Sequence, residues 1–263
     1  MLASGAFAVW AGVLATLLVR QDALIFPGSR TLKAPSADML ENAGARAMSV
    51  AGADGQGIEC FSVGDHAAPS RILAFPGNGG DALEYAQWLH AQLLRHAPDA
   101  SYCVIAPHYR GYGATGGQVS GPAMAADARA LALALEPHAI FGRSLGAGMA
   151  AVAAAAFPAP TLVISPWESL TRVARDFAGG FAPLGVLKAF FRHEVKAGEA
   201  AQQAASPIRC LVFRRDSMIS NDRSRAFFQA WAGAKTWIEL AGAHQEKIDL
   251  SAEDARFLLG ALA

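Results

Sequence analysis

Seven short apolar runs constrain the fold more than any other feature of the chain. They are GIECFSV (57–63), RILAFP (71–76), YCVIAP (102–107), HAIFG (138–142), PTLVIS (160–165), RCLVFR (209–214) and TWIEL (236–240). Most are apolar almost throughout and do not alternate, so both faces of each run need cover. Stretches with helical spacing fill the gaps, at roughly 81–96, 121–135, 144–156, 168–177, 184–193, 221–232 and 251–262. Repeated strand-then-helix order predicts an α/β domain, a mainly parallel sheet with helices on both faces. With 263 residues, 53% of them hydrophobic, the chain has material for one such core. In these sheets ligands bind outside the carboxyl ends of the strands, so chemistry is expected just after each run.

The turn after HAIFG reads Gly142-Arg143-Ser144-Leu145-Gly146, a G-x-S-x-G between a strand and an alanine-rich helix. A serine at so sharp a turn is forced into a strained backbone, and only flanking glycines leave room for it. Its hydroxyl then stands above the sheet, with helix amides and the positive end of the helix dipole beneath it. Ser144 is therefore the expected nucleophile; the bland alternative is a small polar residue in a glycine-rich turn. A serine nucleophile needs a base, and the base an orienting carboxylate, in the chain order Ser, acid, His. Of seven histidines, only His244, in ELAGAHQE, follows both Ser144 and a late strand. Asp216, just after RCLVFR, is the expected acid. Asp222 stays a contender, although its place in SNDRSRAFF suits the first turn of a helix. The oxyanion hole is expected from the amide of Leu145 and one from the FPGNGG loop, Asn78 first, with Gly77 or Gly79 as alternatives.

Other features exclude function classes. Residues 111–116 fit G-x-G-x-x-G, but the run does not open the first strand–helix unit, and Glu136 precedes a strand where an acid should end one. Twenty-two basic and 22 acidic residues, with no long run of either sign, argue against a nucleic-acid surface. Cys60, Cys103 and Cys210 are odd in number, lack CxxC spacing and sit in apolar runs. They are expected to be buried, unreactive thiols. Neither metal nor cofactor is expected.

The first 19 residues carry no charged side chain. As a helix they nearly match a hydrocarbon core of about 30 Å. Residues 1–20 are accordingly expected to be an uncleaved single-pass membrane anchor, with a cleaved signal or a soluble apolar helix as alternatives. Arg20, Arg30 and Lys33 all follow the segment, which leans toward a cytoplasmic catalytic domain without deciding the side. Residues 21–56, rich in Gly, Pro and small residues, read as a linker with edge structure ahead of a domain over 57–263. Within it, about 167–207 form an insertion containing FAGGFAPLGVLKAFF. That stretch is either a packed helical hairpin or a glycine-hinged cap over an apolar pocket.

ILAFPGNGGDALEYAQWL, VIAPHYRGYGATGG, IFGRSLGAGMA, LVISPWESL, CLVFRRDSMIS and LAGAH resemble, in order, the motif blocks of α/β-hydrolases. The group most alike is the membrane-anchored hydrolases related to serine aminopeptidase-like and acyl-protein depalmitoylase-like enzymes. The resemblance spans roughly residues 20–263 and implies Ser144 as nucleophile, Asp216 as acid and His244 as base. The expected function is a serine hydrolase acting on an ester or thioester of an apolar or acyl substrate, since no acidic site for an amino terminus is evident. The alternatives are a serine aminopeptidase-type activity or, given the altered oxyanion loop, a catalytically silent membrane-anchored interaction protein. The chain departs from the family pattern at Pro76, at His108 where an aspartate is usual, and around the acid, at Arg214-Arg215 and Ile219-Ser220.

Overall fold

The computed structural model describes residues 2–178 and 181–260. Its strands are β1 (Ala45–Ala51), β2 (Gly57–Gly64), β3 (Arg71–Phe75), β4 (Cys103–Pro107), β5 (Ala139–Arg143), β6 (Thr161–Ile164), β7 (Ile208–Phe213) and β8 (Lys235–Leu240). They form one sheet in the order β1-β2-β4-β3-β5-β6-β7-β8. β2 runs antiparallel to both β1 and β4, and every other pair is parallel. The expected mainly parallel sheet is thus present, and each of the seven apolar runs supplies a strand. The exception is β1, which lies in the stretch read as a linker. It is an edge strand with mostly exposed residues, so no apolar run marks it.

Four helices precede the sheet: α1 (Leu2–Val19), α2 (Gln21–Ile25), α3 (Gly28–Thr31) and α4 (Ala37–Asn42). α5 (Ala82–Leu94), α6 (Gly121–Leu135) and α7 (Leu145–Ala156) follow β3, β4 and β5. Between β6 and β7 come α8 (Leu170–Phe177), α9 (Leu184–Phe190) and α10 (Ala197–Ala201); α11 (Asn221–Ala230) and α12 (Ala252–Leu259) complete the set. One face of the sheet is covered by α6, α7, α10 and α11, the other by α5 and α12. Local chemistry starts several of them: Asp81 caps α5, Ser120 caps α6, and Ser251 with Asp254 forms a capping box on α12. The alanines of α7 let it lie close to its neighbours. Gly148, in its middle, has no room for a Cβ beside the Trp167 ring.

The N-terminal region corrects two expectations. Among the described residues no helix is long and apolar enough to cross a membrane, so the expected spanning anchor finds no support. Instead α1 lies along the α8–α9 segment. Leu14 is buried with Ala182 and Leu187, and the Trp10 indole donates to the Phe181 carbonyl at 3.0 Å. Packing fixes this helix, because one stripe of it finds apolar partners in the chain itself. Nor are residues 21–28 a linker. Phe26 is fully buried, and Gly28 has no room for a Cβ against the Tyr112 ring. Asp22 pairs with Arg192 and His193, each at 2.8 Å. Of the glycines proposed as hinges, Gly179 and Gly180 lie outside the described residues. All three cysteines are buried free thiols, and burial pushes that of Cys60 up to about 12.

Candidate active site

β5 ends at Arg143 and α7 begins at Leu145, leaving one residue to turn the chain. Ser144 makes that turn at φ 53° and ψ −115°, a conformation that a residue with a side chain holds only under constraint. The constraint comes from its surroundings. The Ser144 amide donates to the Ile164 carbonyl at 2.9 Å, and the Trp167 indole donates to the Ser144 carbonyl at 2.8 Å. The glycines two positions either side are sterically required. A Cβ on Gly142 would run into the Gly146 backbone, and one on Gly146 would lie 2.5 Å from the Pro76 carbonyl oxygen and nearer still to that of Phe75.

The structure brings the three residues of the expected relay together. The Ser144 hydroxyl lies 3.0 Å from His244 Nε2, and His244 Nδ1 lies 2.8 Å from Asp216 Oδ2. Each comes from a different strand end: Ser144 after β5, Asp216 after β7, His244 after β8. The Asp216 side chain is enclosed completely and accepts three further hydrogen bonds, from the Ser165 hydroxyl at 2.6 Å and from the amides of Met218 and Ile219 at 2.9 and 2.8 Å. Burial pushes its carboxyl up. The bonds from His244, Ser165 and Ile219 outweigh that and hold it below the usual carboxylate range. A carboxylate so held stays charged beside the imidazole and can stabilise an imidazolium. Asp222 is exposed in the first turn of α11, as its capping context suggested, and is not among the hydrogen-bond or ion-pair partners of His244 within the described residues.

Two residues that sequence reasoning passed over complete the frame. Ser165, at the end of β6, carries φ 51° and aims its hydroxyl at Asp216. Its position directly after a strand was the one available signal. Arg143, the variable residue before the serine, donates from one terminal nitrogen to the His244 carbonyl at 2.6 Å and the Glu246 carbonyl at 3.2 Å. It thereby ties the base loop to the turn that carries Ser144.

The amides expected to face an oxyanion belong to Leu145 and to the loop after β3. The amides of Leu145 and Asn78 have no acceptor among the described residues, and Gly77 comes close to the Ser144 side chain. Both amides are therefore unspent, and both residues line the cavity that Ser144 also lines. Asn78 also does what its backbone alone would not require. Its side chain donates to the Ile25 carbonyl and accepts from the Tyr112 hydroxyl at 2.9 Å, so residues 21–28 brace this loop. Pro76, the departure from the family pattern, has no N–H to give, and its carbonyl accepts from the buried Tyr109 hydroxyl at 2.6 Å. His108, the second departure, is buried with Nδ1 2.8 Å from Glu59 and Nε2 3.5 Å from Asp81. Burial lowers its pKa, but the two carboxylates raise it more, leaving it above the ordinary value of 6.5. It lies between Glu59 of β2 and Asp81, the cap of α5, at the end of the loop after β3.

Ser144 and His244 open onto a cavity of about 530 Å³. Leu170, Val173, Phe177 and Phe191 line it from the inserted segment, Leu24, Ile25 and Pro27 from residues 21–28, the N-terminal strap, and Met218 and Ile219 from the loop after β7. Its wall is mostly hydrocarbon. Arg143 and His244 are the ionisable basic groups on it, and no carboxylate lines it among the described residues. No cluster of His, Cys, Asp and Glu suited to a metal ion occurs among the described residues.

No protein-family model and no curated protein sequence matches the chain. Solved structures do match in shape. An esterase of Pyrococcus furiosus superposes with a TM-score of 0.65 at 16% identity, covering 88% of this chain and all of the other. Acetyl xylan esterase 1 from Thermoanaerobacterium gives 0.57 at 15% identity, over 86% and 94% of the two chains. A membrane phospholipase A described as a bacterial virulence factor gives 0.56 at 15% identity, over 97% and 92%. At these identities the likeness concerns architecture. The mostly parallel eight-stranded sheet, its helical cover and these matches establish that the chain has the α/β-hydrolase fold.

Proposed function

We propose that the chain is a serine hydrolase that cleaves an ester or thioester bearing an apolar acyl group. The observation that carries this reading is the continuous Ser144–His244–Asp216 hydrogen-bonded line at the floor of an apolar cavity. Ser144 Oγ attacks the carbonyl carbon while His244 Nε2 takes its proton. Asp216 stabilises the imidazolium that results. Negative charge develops on the carbonyl oxygen, where the amides of Leu145 and Asn78 receive it. The intermediate collapses with His244 returning the proton to the departing alcohol or thiol. Water, deprotonated by the same histidine, then attacks the acyl-enzyme and releases the acid and free Ser144. The chain's own residues account for every step, so the proposal calls for no cofactor or metal.

The cavity wall favours an ester over a peptide with a free amino terminus. Such an ammonium group would need a carboxylate, and among the described residues the cavity lining offers none. The alternative of a catalytically silent interaction protein gains nothing from a relay whose three members are all in bonding range. A fluorophosphonate probe tests the proposal directly. Labelling of the wild type that disappears in Ser144→Ala is expected. Absence of labelling in a folded wild-type protein, or labelling that survives the substitution, would overturn it.

A further inference from the structure

The outer surface around the cavity mouth is unlike the rest of the molecule. Of twelve large apolar side chains exposed among the described residues, eight belong to α1, α2, the inserted segment and the loop after β7. The inserted segment shows Phe177, Phe181 and Phe190; α1 shows Val13, Leu17 and Val19, the last 75% exposed. The segments that carry these groups adjoin one another. The Trp10 ring lies 6.1 Å from that of Phe181, Gln21 donates to the Phe190 carbonyl, and Leu24, Phe177 and Met218 share the cavity mouth. Residues 10, 14 and 18 of α1 face the inserted segment, while the exposed positions from Gly12 to Val19 carry a single polar side chain, Thr16. A helix apolar all round normally has apolar cover all round.

Charge says what kind of cover this is. Arg20, Arg175 and Lys188 stand among these apolar groups, exposed and without an ion-pair partner among the described residues. The acids of the same segments are already engaged. Asp22 pairs with Arg192 and His193, Asp176 and Glu168 with Arg223, and Glu199 with Lys196, while Glu194 accepts from Ser169 and Thr171. The surface is therefore apolar with a surplus of unpaired cations, in a chain whose formal net charge is zero.

We infer that this face docks, without spanning, on a lipid surface carrying anionic headgroups. Exposed aromatic and aliphatic side chains would enter the boundary between headgroups and acyl chains, and the cations would meet the phosphates. The cavity mouth would then face the layer that holds apolar acyl chains, so a substrate need not cross water to reach Ser144. Docking does not depend on the chemistry proposed for Ser144, and the two can fail separately.

The test is flotation of the full chain with vesicles of phosphatidylcholine alone or mixed with phosphatidylglycerol, at low and high salt. Binding to the mixed vesicles, weakened by salt, is expected. The pair Arg175→Glu and Lys188→Glu should weaken it at least about tenfold, since each basic residue near an anionic surface contributes to the attraction. Val19→Ser with Phe190→Ser should also release the protein. Neither pair lines the cavity, so melting temperature and hydrolysis of a short water-soluble ester should stay as in the wild type. Ser144→Ala should float like the wild type. Failure to float with the mixed vesicles, floating unchanged by both pairs, or a stable dimer that Val19→Ser with Phe190→Ser breaks into monomers while vesicles are ignored would each overturn the inference.

Discussion

Gly146→Ala adds one methyl group where the geometry leaves none. A Cβ at that position would lie 2.5 Å from the Pro76 carbonyl oxygen and nearer to that of Phe75. Both neighbours are backbone, so no side chain can turn aside. Opening these contacts even to 3.0 Å forces α7 and the end of β3 apart by more than about 0.5 Å. Overpacking of this kind costs roughly 1–3 kcal/mol. In a domain of this size that lowers the melting temperature by about 2–12 °C. The same shift moves Ser144 and the Leu145 amide, both carried by α7, away from Gly77 and Asn78. Because a displacement near 1 Å costs about 100-fold in rate, kcat/KM should fall by roughly 10- to 100-fold. Thermal melts followed by circular dichroism and hydrolysis of p-nitrophenyl butyrate read the two effects. Gly185→Ala in α9 is the control. A Cβ there meets nothing within 4 Å, so it should gain roughly 0.5–1 kcal/mol without altering kcat/KM. A Gly146→Ala protein that melts within about 1 °C of wild type at full activity would refute the close-approach reasoning.

Three further outcomes follow from the site. Asp216→Asn should lower kcat by about 10⁴-fold while Asp222→Asn stays within about twofold, in p-nitrophenyl ester turnover; the reverse pattern would reassign the acid. Ser165→Ala removes a buried bond to a charged carboxylate, a loss of roughly 1.5–3 kcal/mol, and should lower kcat and the melting temperature together with KM nearly unchanged. The Asp216 carboxyl is held below its usual range, so its contribution is present above the ordinary value of 3.8 and lost as pH falls through the lower folded one; the Ser165→Ala deficit should shrink there. His108 is held above 6.5, which reverses the sign: its contribution is complete below that value and is lost as pH rises through the folded one. Melts taken from about pH 6 upward should therefore fall more steeply for the wild type than for His108→Gln, and parallel slopes would remove His108 from that role.

Much of the site was legible before any tertiary contact was known. G-x-S-x-G between a strand and a helix marks its own geometry, because only glycine tolerates the approach seen at Gly142 and Gly146. That Asp216 and His244 would meet Ser144 was legible because parallel strands deliver their following loops to one edge of the sheet. Ser165 and Arg143 were missed because their roles consist of bonds to Asp216 and to the His244 carbonyl, partners 51 and 101 positions away. No local pattern encodes such a pair.

By itself, the sequence determined what depends on local periodicity and steric demand: central strands apolar on both faces, helices between them, and a serine turn that glycine alone permits. Tertiary structure decided what depends on which distant surfaces meet. The apolar N-terminal helix is the clearest instance. Its lack of charge is equally compatible with a membrane span, a signal or a packed helix, since each removes the same side chains from water. Burial of Leu14 against Ala182 and Leu187 settles where one stripe of it lies, and the strap that follows becomes a wall of the cavity and a brace for Asn78. Hydrophobicity specifies that a surface be covered, and only the folded arrangement specifies by what.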